Sequence, residues 1–309
     1  MFLGALFPKD ASVWELCDTP PKVPGVKIHD RTIAFSGKKK KELTCLITKE
    51  VSENVIRFSF HKNTQVALKI LLFDLKKEEQ LQFHFRLGSG AEVTVDHIFL
   101  EPINSKLSIE RKFRLKENAR LTLLTGVFPN ASFLCRDDTE LIGEGASVDY
   151  LSLAVATKKN RIQIEETVRH QAKQTISKMQ NFLIATEEGL LECIVAGVIQ
   201  KGMAQSACEQ ANRGLLLGEK SAISVDPKLL IDEYDVKASH GAAIGRINDD
   251  ELFYLESRGL DETLAKQLIV FGYLAPFLDQ LAHAKLSDYL TKIVRKQVMG
   301  GAIDEPELA

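Results

Sequence analysis

GSGAEVTV (88–95), KENARLTL (116–123) and GEGASVDY (143–150) share one pattern: a glycine or polar turn, an alanine, and apolar residues two and four places later. The apolar residues are Val93 and Val95, Leu121 and Leu123, and Val148 and Tyr150; Ala91, Ala119 and Ala146 are 28 and 27 residues apart. A repeat of this length fits a unit that stacks on its neighbours and buries a shared apolar strip that none could bury alone. Two architectures meet that description: a β-solenoid, and a sandwich of similar hairpins.

The surrounding sequence is of the same kind from about residue 25 to 240. VIRFSFH (55–61), AEVTVDHIFL (91–100), KLSIERKFRL (106–115) and SVDYLSLAV (147–155) have strand length and alternate apolar with polar residues. The class is mainly β. After Gly245 the pattern changes. Asn248 or Asp249 can cap a helix that Gly259 ends, Asp261 can cap a second, and Leu264, Leu268, Phe271 and Leu274 recur at helical spacing. A third helix is expected over about 285–298, with Lys292, Arg295 and Lys296 near its carbonyl end. The closing GGAIDEPELA reads as an acidic tail.

With 309 residues, 45% of them hydrophobic, the chain can bury a substantial core. A net charge of -2 leaves no global basic footprint, so no nucleic-acid partner is expected. The run Lys38-Lys39-Lys40-Lys41 reads as a solvated turn. Neither the N-terminal MFLGALFPKDASVW nor LIVFGYLAPFL (268–278) is long enough to span a bilayer, and a cytoplasmic protein without a membrane partner is expected. Cys17, Cys45, Cys135, Cys193 and Cys208 are scattered and include no C-x-x-C pair, which points to reduced thiols. Phosphate-loop, serine-hydrolase, zincin and dinucleotide motifs are absent, so a conventional enzyme has no motif support.

Thiolate and imidazole are soft-metal ligands suited to iron–sulfur chemistry. Cys193 in LLECIVAGV and Cys208 in AQSACEQANRGLLL lie in the strand-rich part, where an isolated cysteine is commonly a small buried hydrophobe. His240, in DVKASHGAAIG (235–245), stands among small residues that permit close approach of another backbone or a bound group. That places it at a crowded surface.

DVKASHGAAIGRINDDELFYLESRG resembles the C-terminal signature of the SufB/SufD family of iron–sulfur cluster assembly proteins, in its SufD-like branch and short form. Asp235, Val236, Lys237, Ser239, His240, Gly241, Ala242 and Gly245 carry the likeness, as do Leu252 to Leu255 and Ser257 to Gly259. His170 to Ser177, Gln210, Leu215 to Leu217 and DPKLLI (226–231) add to it.

The resemblance implies a right-handed parallel β-helix, or β-solenoid, with a C-terminal α-helical region. The expected divisions are an N-terminal segment (1–30), a β-helix core (31–247) and a helical ATPase-docking region (248–309). It further implies a scaffold that holds a transient iron–sulfur cluster, pairs with itself or with a SufB-like subunit, and works with a SufC-like ABC-type ATPase. His240, Cys208 and Cys193 are then the candidate metal ligands, and Phe253, Tyr254 and Arg258 the candidate partner-binding residues. Two family cysteine positions are empty: Ala238 precedes the SHGA motif, and Leu255 stands where the SufB branch has cysteine. Two other readings stay open, a non-metal-binding adaptor for the ATPase and a β-helix enzyme acting on polysaccharide through paired carboxylates.

Overall fold

A left-handed residue recurs at one corner of six successive coils: Asn63, Gly90, Asn118, Gly145, Gln174 and Gln205 all have φ between 52° and 70°. The residue after each is small and sealed inside: Thr64, Ala91, Ala119, Ala146, Thr175 and Ser206 are at most 1% exposed. The alanine pattern visible in three coils is therefore a six-coil device. A bend into the left-handed region turns the chain, and a small side chain lets the corner close over the interior.

The computed structural model describes residues 13–15, 24–29, 32–47, 55–72, 79–100, 106–281 and 284–299. Cys17, most of the expected N-terminal segment and the acidic tail lie outside these.

Among the described residues the chain alternates between two nine-stranded sheets. The first is ordered β1 (Val13–Glu15), β4 (Lys41–Ile47), β6 (Gln65–Leu72), β8 (Glu92–Phe99), β10 (Arg120–Val127), β12 (Ser147–Ala156), β14 (Ile176–Ala185), β16 (Ser206–Leu216) and β18 (Val236–Arg246). The second runs from β17 (Ala222–Ile231) through β15 (Leu190–Ile199), β13 (Arg161–His170), β11 (Phe133–Leu141), β9 (Leu107–Leu115), β7 (Glu79–Leu87) and β5 (Val55–Phe60) to β3 (Thr32–Phe35) and β2 (Val26–His29). All pairings are parallel except β2 with β3. This is a β-solenoid of about seven turns. Strands β1 and β2 already join the sheets within the first 30 residues. Of the lysine run, Lys38 to Lys40 are exposed, whereas Lys41 opens β4 and is buried, donating to the carbonyls of Gly37 and Lys39.

In-register parallel pairing puts equivalent side chains of successive coils on the same side, so each interior position forms a column. One column stacks Phe58, Phe85 and Phe113 with ring centroids 4.9 and 4.6 Å apart. A second apolar layer covers the outer face of the first sheet. Leu71, Ile98, Leu124, Leu151 and Ile184 pack there against the C-terminal helices.

Those helices are α1 (Asp249–Ser257), α2 (Glu262–Leu278) and α3 (Ala284–Met299). Asn248 caps α1, Asp261 caps α2, and Gly259 takes φ 91° between them, as the sequence predicts. The buried face of α2 differs from the expected one: Ala265, Val270, Leu274 and Phe277 are inside, while Leu264 and Leu268 stay exposed. Helical spacing defines which residues share a face; the outer face of the sheet decides which residues are covered.

Candidate functional site

Strands β17 and β18 form the last coil, and among the described residues no further coil covers it. Alternation persists on β17, whose odd-numbered residues through Leu229 are half-buried, but on β18 every residue from Lys237 to Arg246 is exposed. The edge is therefore a row of unpaired backbone groups carrying small side chains.

Register places the expected residues. His240 pairs with Gln210 of β16, and Ala238 with Cys208. Since Cys208 and Gln210 face the interior, Ala238 and His240 occupy the same inward-facing row one coil further on, where nothing lies above them. The predicted crowding around His240 is not supplied by the described residues: His240 is exposed, and a Cβ added at Gly241 or Gly245 would meet nothing among them within 4 Å.

Cys208 and Cys193 are both sealed inside, 1% and 0% exposed. Cys208 is on β16, one coil below His240; Cys193 is on β15 in the opposite sheet, beside Val225 of the last coil. Among the described residues no three His, Cys, Asp or Glu side chains converge on a point that would hold a metal ion. Burial pushes the Cys193 thiol well above its usual range. Cys208 is raised by burial too, although hydrogen bonds from Ser177 and Gln210 favour its thiolate.

Cys208 has Ser177 and Gln210 beside its sulfur, and Ser177 is in turn bonded to an imidazole. Ser177 is the register neighbour of Cys208 on β14. His170, at the end of β13, has Nε2 2.9 Å from Ser177 Oγ and Nδ1 2.8 Å from Thr175 Oγ1. Burial lowers the His170 pKa to about 4, so the ring is neutral at physiological pH. On the other side, Gln210 Nε2 donates to the Lys228 carbonyl at 3.0 Å, and its Oε1 has no partner.

A polar layer also runs through the solenoid interior. Arg111, Asp137 and Glu166 are in register on β9, β11 and β13, and His97, Thr125, Ser152, Asn181 and Asn212 on β8 to β16 opposite them. Glu166 accepts from Ser152 and Asn181, Asn181 donates to Asn212, and Asn212 donates to the Gly241 carbonyl at 3.1 Å, next to His240. None of these residues, nor Ser177 and Gln210, was picked out from the sequence as part of a site. One signal would have found Gln210 and Ser177: counting one coil back from His240 lands on Gln210, and from Cys208 on Ser177.

The expected partner-binding residues lie on and after α1, a helix with no buried residue. Phe253 is 71% and Tyr254 56% exposed, and the Arg258 guanidinium sits 5.2 Å from the centre of the Tyr254 ring. They are surface groups, not core. No helix among the described residues is long and apolar enough to cross a membrane.

Residues 53–273 match the family model described as "SUF system FeS cluster assembly, SufBD core domain". The chain is 26% identical over 181 residues to the iron–sulfur cluster assembly protein SufD of Bacillus subtilis, covering 59% of this chain and 41% of that protein. It is 25% identical over 319 aligned positions to SufD of Escherichia coli, covering 90% and 74%. A SufBD family protein of Pyrococcus horikoshii is 44% identical over 89 residues, 28% of this chain and 19% of the relative. The match thus spans less than half of the Bacillus protein and about three quarters of the Escherichia one.

Proposed function

The chain belongs to the SufBD family of the SUF iron–sulfur assembly system, and on that premise we propose that it is a scaffold component that builds and hands on nascent clusters with a SufC-like ABC-type ATPase. The observation that carries the reading is the open last coil: β18 offers a free backbone edge with His240 exposed on its inward-facing row. A second copy of the chain, or a SufB-like subunit, adds its own edge there and encloses His240 between two solenoids. The small residues from Ala238 to Gly245 let the two backbones meet closely.

Phe253, Tyr254 and Arg258 form the docking surface for the ATPase on this reading. ATP binding draws two ATPase subunits together, and α1 passes that motion to the last coil, where the iron and sulfur cargo is assembled. The ATP-bound partner must bind the rearranged scaffold more tightly than the resting one for this to work. The chain is then a scaffold and not an enzyme, and it acts in the cytoplasm, where thiols such as Cys45, Cys135, Cys193 and Cys208, all free, stay reduced.

The adaptor reading has its own support. Ala238 and Leu255 leave the family thiol positions empty, and the described residues bring no three metal-ligating side chains together. The polysaccharide reading has less: Asp137 and Glu166 are adjacent carboxylates, but both are sealed from any sugar chain, 3% and 1% exposed.

Anaerobic co-purification with the ATPase, followed by iron and sulfide reconstitution, separates scaffold from adaptor. A wild-type complex that gains visible cluster absorption, lost in His240→Ala, supports the scaffold. A complex that forms equally well and never holds iron makes the chain an adaptor.

A further inference from the structure

The helices pack on the outer face of the first sheet and leave that of the second uncovered. Alternation turns Phe58, Phe83, Phe85 and Phe113 inward, so Arg57, His84, Arg86, Lys112 and Arg114 stand on the outer face of the second sheet. Register sorts them into two neighbouring columns. Arg57, His84 and Lys112 align on β5, β7 and β9, and Ser59, Arg86 and Arg114 align two residues further along the same strands. The first column starts at His29 and Thr32, the second at Lys27 and Ala34. From β2 to β9 neither column holds a carboxylate; the first are Asp138 and Glu140 on β11. At that strand and beyond, exposed cations find partners: Arg136 meets Glu165 at 2.7 Å, and Arg169 meets Asp138 at 3.2 Å.

Within the basic block, Lys112 pairs with Glu110 of its own strand at 2.8 Å, and Arg114 reaches Glu140 at 2.9 Å. Arg57 and Arg86, both exposed, have no carboxylate partner among the described residues. His84 lies between them, with its Nε2 buried and unpartnered. Burial first, then the charges of Lys112 and Arg57, hold the ring below the usual histidine range, with Glu110 opposing and Arg86 adding. Three cations thus act on one imidazole. Like charges on directly opposed strand positions destabilise a sheet, and Arg86 opposes Arg114. Two planar guanidinium groups without an internal partner, on a face that keeps this repulsion, are complementary to carboxylates from outside.

The shape narrows the ligand. The cations stand out from a sheet and not around a cleft, so they suit a surface better than a small anion. From β5 to β9 the block measures about 10 Å across the strands and about 7 Å along them, the scale on which carboxylates recur at i and i+4 on a helix. A phosphate track running across the sheet would meet Asp138 and Glu140 on the next strand. The net charge of -2 opposes a broad anionic surface such as a membrane.

We propose that Arg57 and Arg86, flanked by Lys112 and Arg114, form a docking site for a carboxylate-rich helix of a partner protein. The site is separate from the last coil: β7 and β17 are five strand spacings apart, about 24 Å. An acidic partner is held there while the β18 edge and α1 stay free for other subunits. The site stands whether the chain is a scaffold or an adaptor.

The test titrates the full-length chain with a fluorescent synthetic helix bearing glutamates at i, i+4 spacing and reads anisotropy, at low salt and at about 0.15 M. Wild type is expected to bind, and Arg57→Gln with Arg86→Gln to weaken binding about tenfold. Arg136→Gln removes an exposed arginine of the same sheet that already has Glu165, and should change affinity less than about twofold. Arg57→Glu with Arg86→Glu should lose the acidic helix and bind one with lysines in place of the glutamates. Melting curves check that these variants are folded, as expected for exposed positions. No binding by wild type, wild-type affinity in the double glutamine variant, or an equal loss in Arg136→Gln overturns the proposal. So does a greater dependence on Arg57 and Arg86 for duplex DNA or phosphatidylserine vesicles than for the acidic helix, since the occupant is then a nucleic acid or a membrane.

Discussion

The Arg111 guanidinium is gripped by the Asp137 carboxylate through two hydrogen bonds of 2.6 Å, at Nε and Nη2, in the sealed interior of the solenoid. Thr125 accepts a further bond from Nη2 at 2.9 Å, while Nη1 has no partner. Asp137 lies one coil away from Glu166, and Arg111 two. Removing one partner strands a buried charge. Asp137→Ala is expected to lower unfolding free energy by about 3–5 kcal/mol, and Arg111→Met with Asp137→Leu together by much less than the single change. Chemical denaturation of the two variants checks this; a double variant that loses more than Asp137→Ala would mean that the pair carries no mutual dependence.

Glu166 makes stability depend on pH. Burial, reinforced by the neighbouring Asp137 charge, pushes its carboxyl up to about 7, against an ordinary value of 4.5. The folded state thus favours the proton more than the unfolded chain does. Its contribution is complete below the unfolded value and is lost as pH rises through about 7, a change of roughly 3 kcal/mol. Glu166→Gln should remove most of that slope between about pH 5 and about pH 8. Melting profiles of the two proteins isolate the effect, because His170, which titrates with the opposite sign, is common to both.

Gly197 should tolerate alanine only when Cys208 is gone. An added Cβ would collide with the Cys208 sulfur and come within 3.3 Å of Leu229 Cδ2. Gly197→Ala is expected to cost about 1–3 kcal/mol, and distinctly less in a Cys208→Ala background. A double-mutant cycle by urea unfolding reads the coupling, and full additivity would place the sulfur elsewhere.

Phe253→Ala and Tyr254→Ala should leave stability within about 0.5 kcal/mol of wild type, since neither side chain is buried. If α1 docks the ATPase, each should weaken that complex by about 2 kcal/mol, roughly thirtyfold in Kd. Calorimetric titration measures it, and unchanged affinity moves the docking surface off α1.

The β class, the repeat, the helix caps at Asn248 and Asp261, and the family signature around His240 were legible in the sequence, because each depends on residues close together in the chain. Alternation follows from the strand's period of two, and capping from a side chain reaching the next turn of its own helix. The interior columns were not legible. Arg111, Asp137 and Glu166 are separated by whole coils, and the coils lengthen after Ala146, so that Ser177 meets Cys208 after 31 residues where the earlier repeat suggests 27 or 28. A polar residue inside such a column is indistinguishable in sequence from one facing water; only the stacking of coils decides which side it is on. Tertiary structure likewise decided that Leu264 and Leu268 are outside and that the glycines beside His240 meet nothing among the described residues, because crowding belongs to whatever packs against a strand and not to the strand itself.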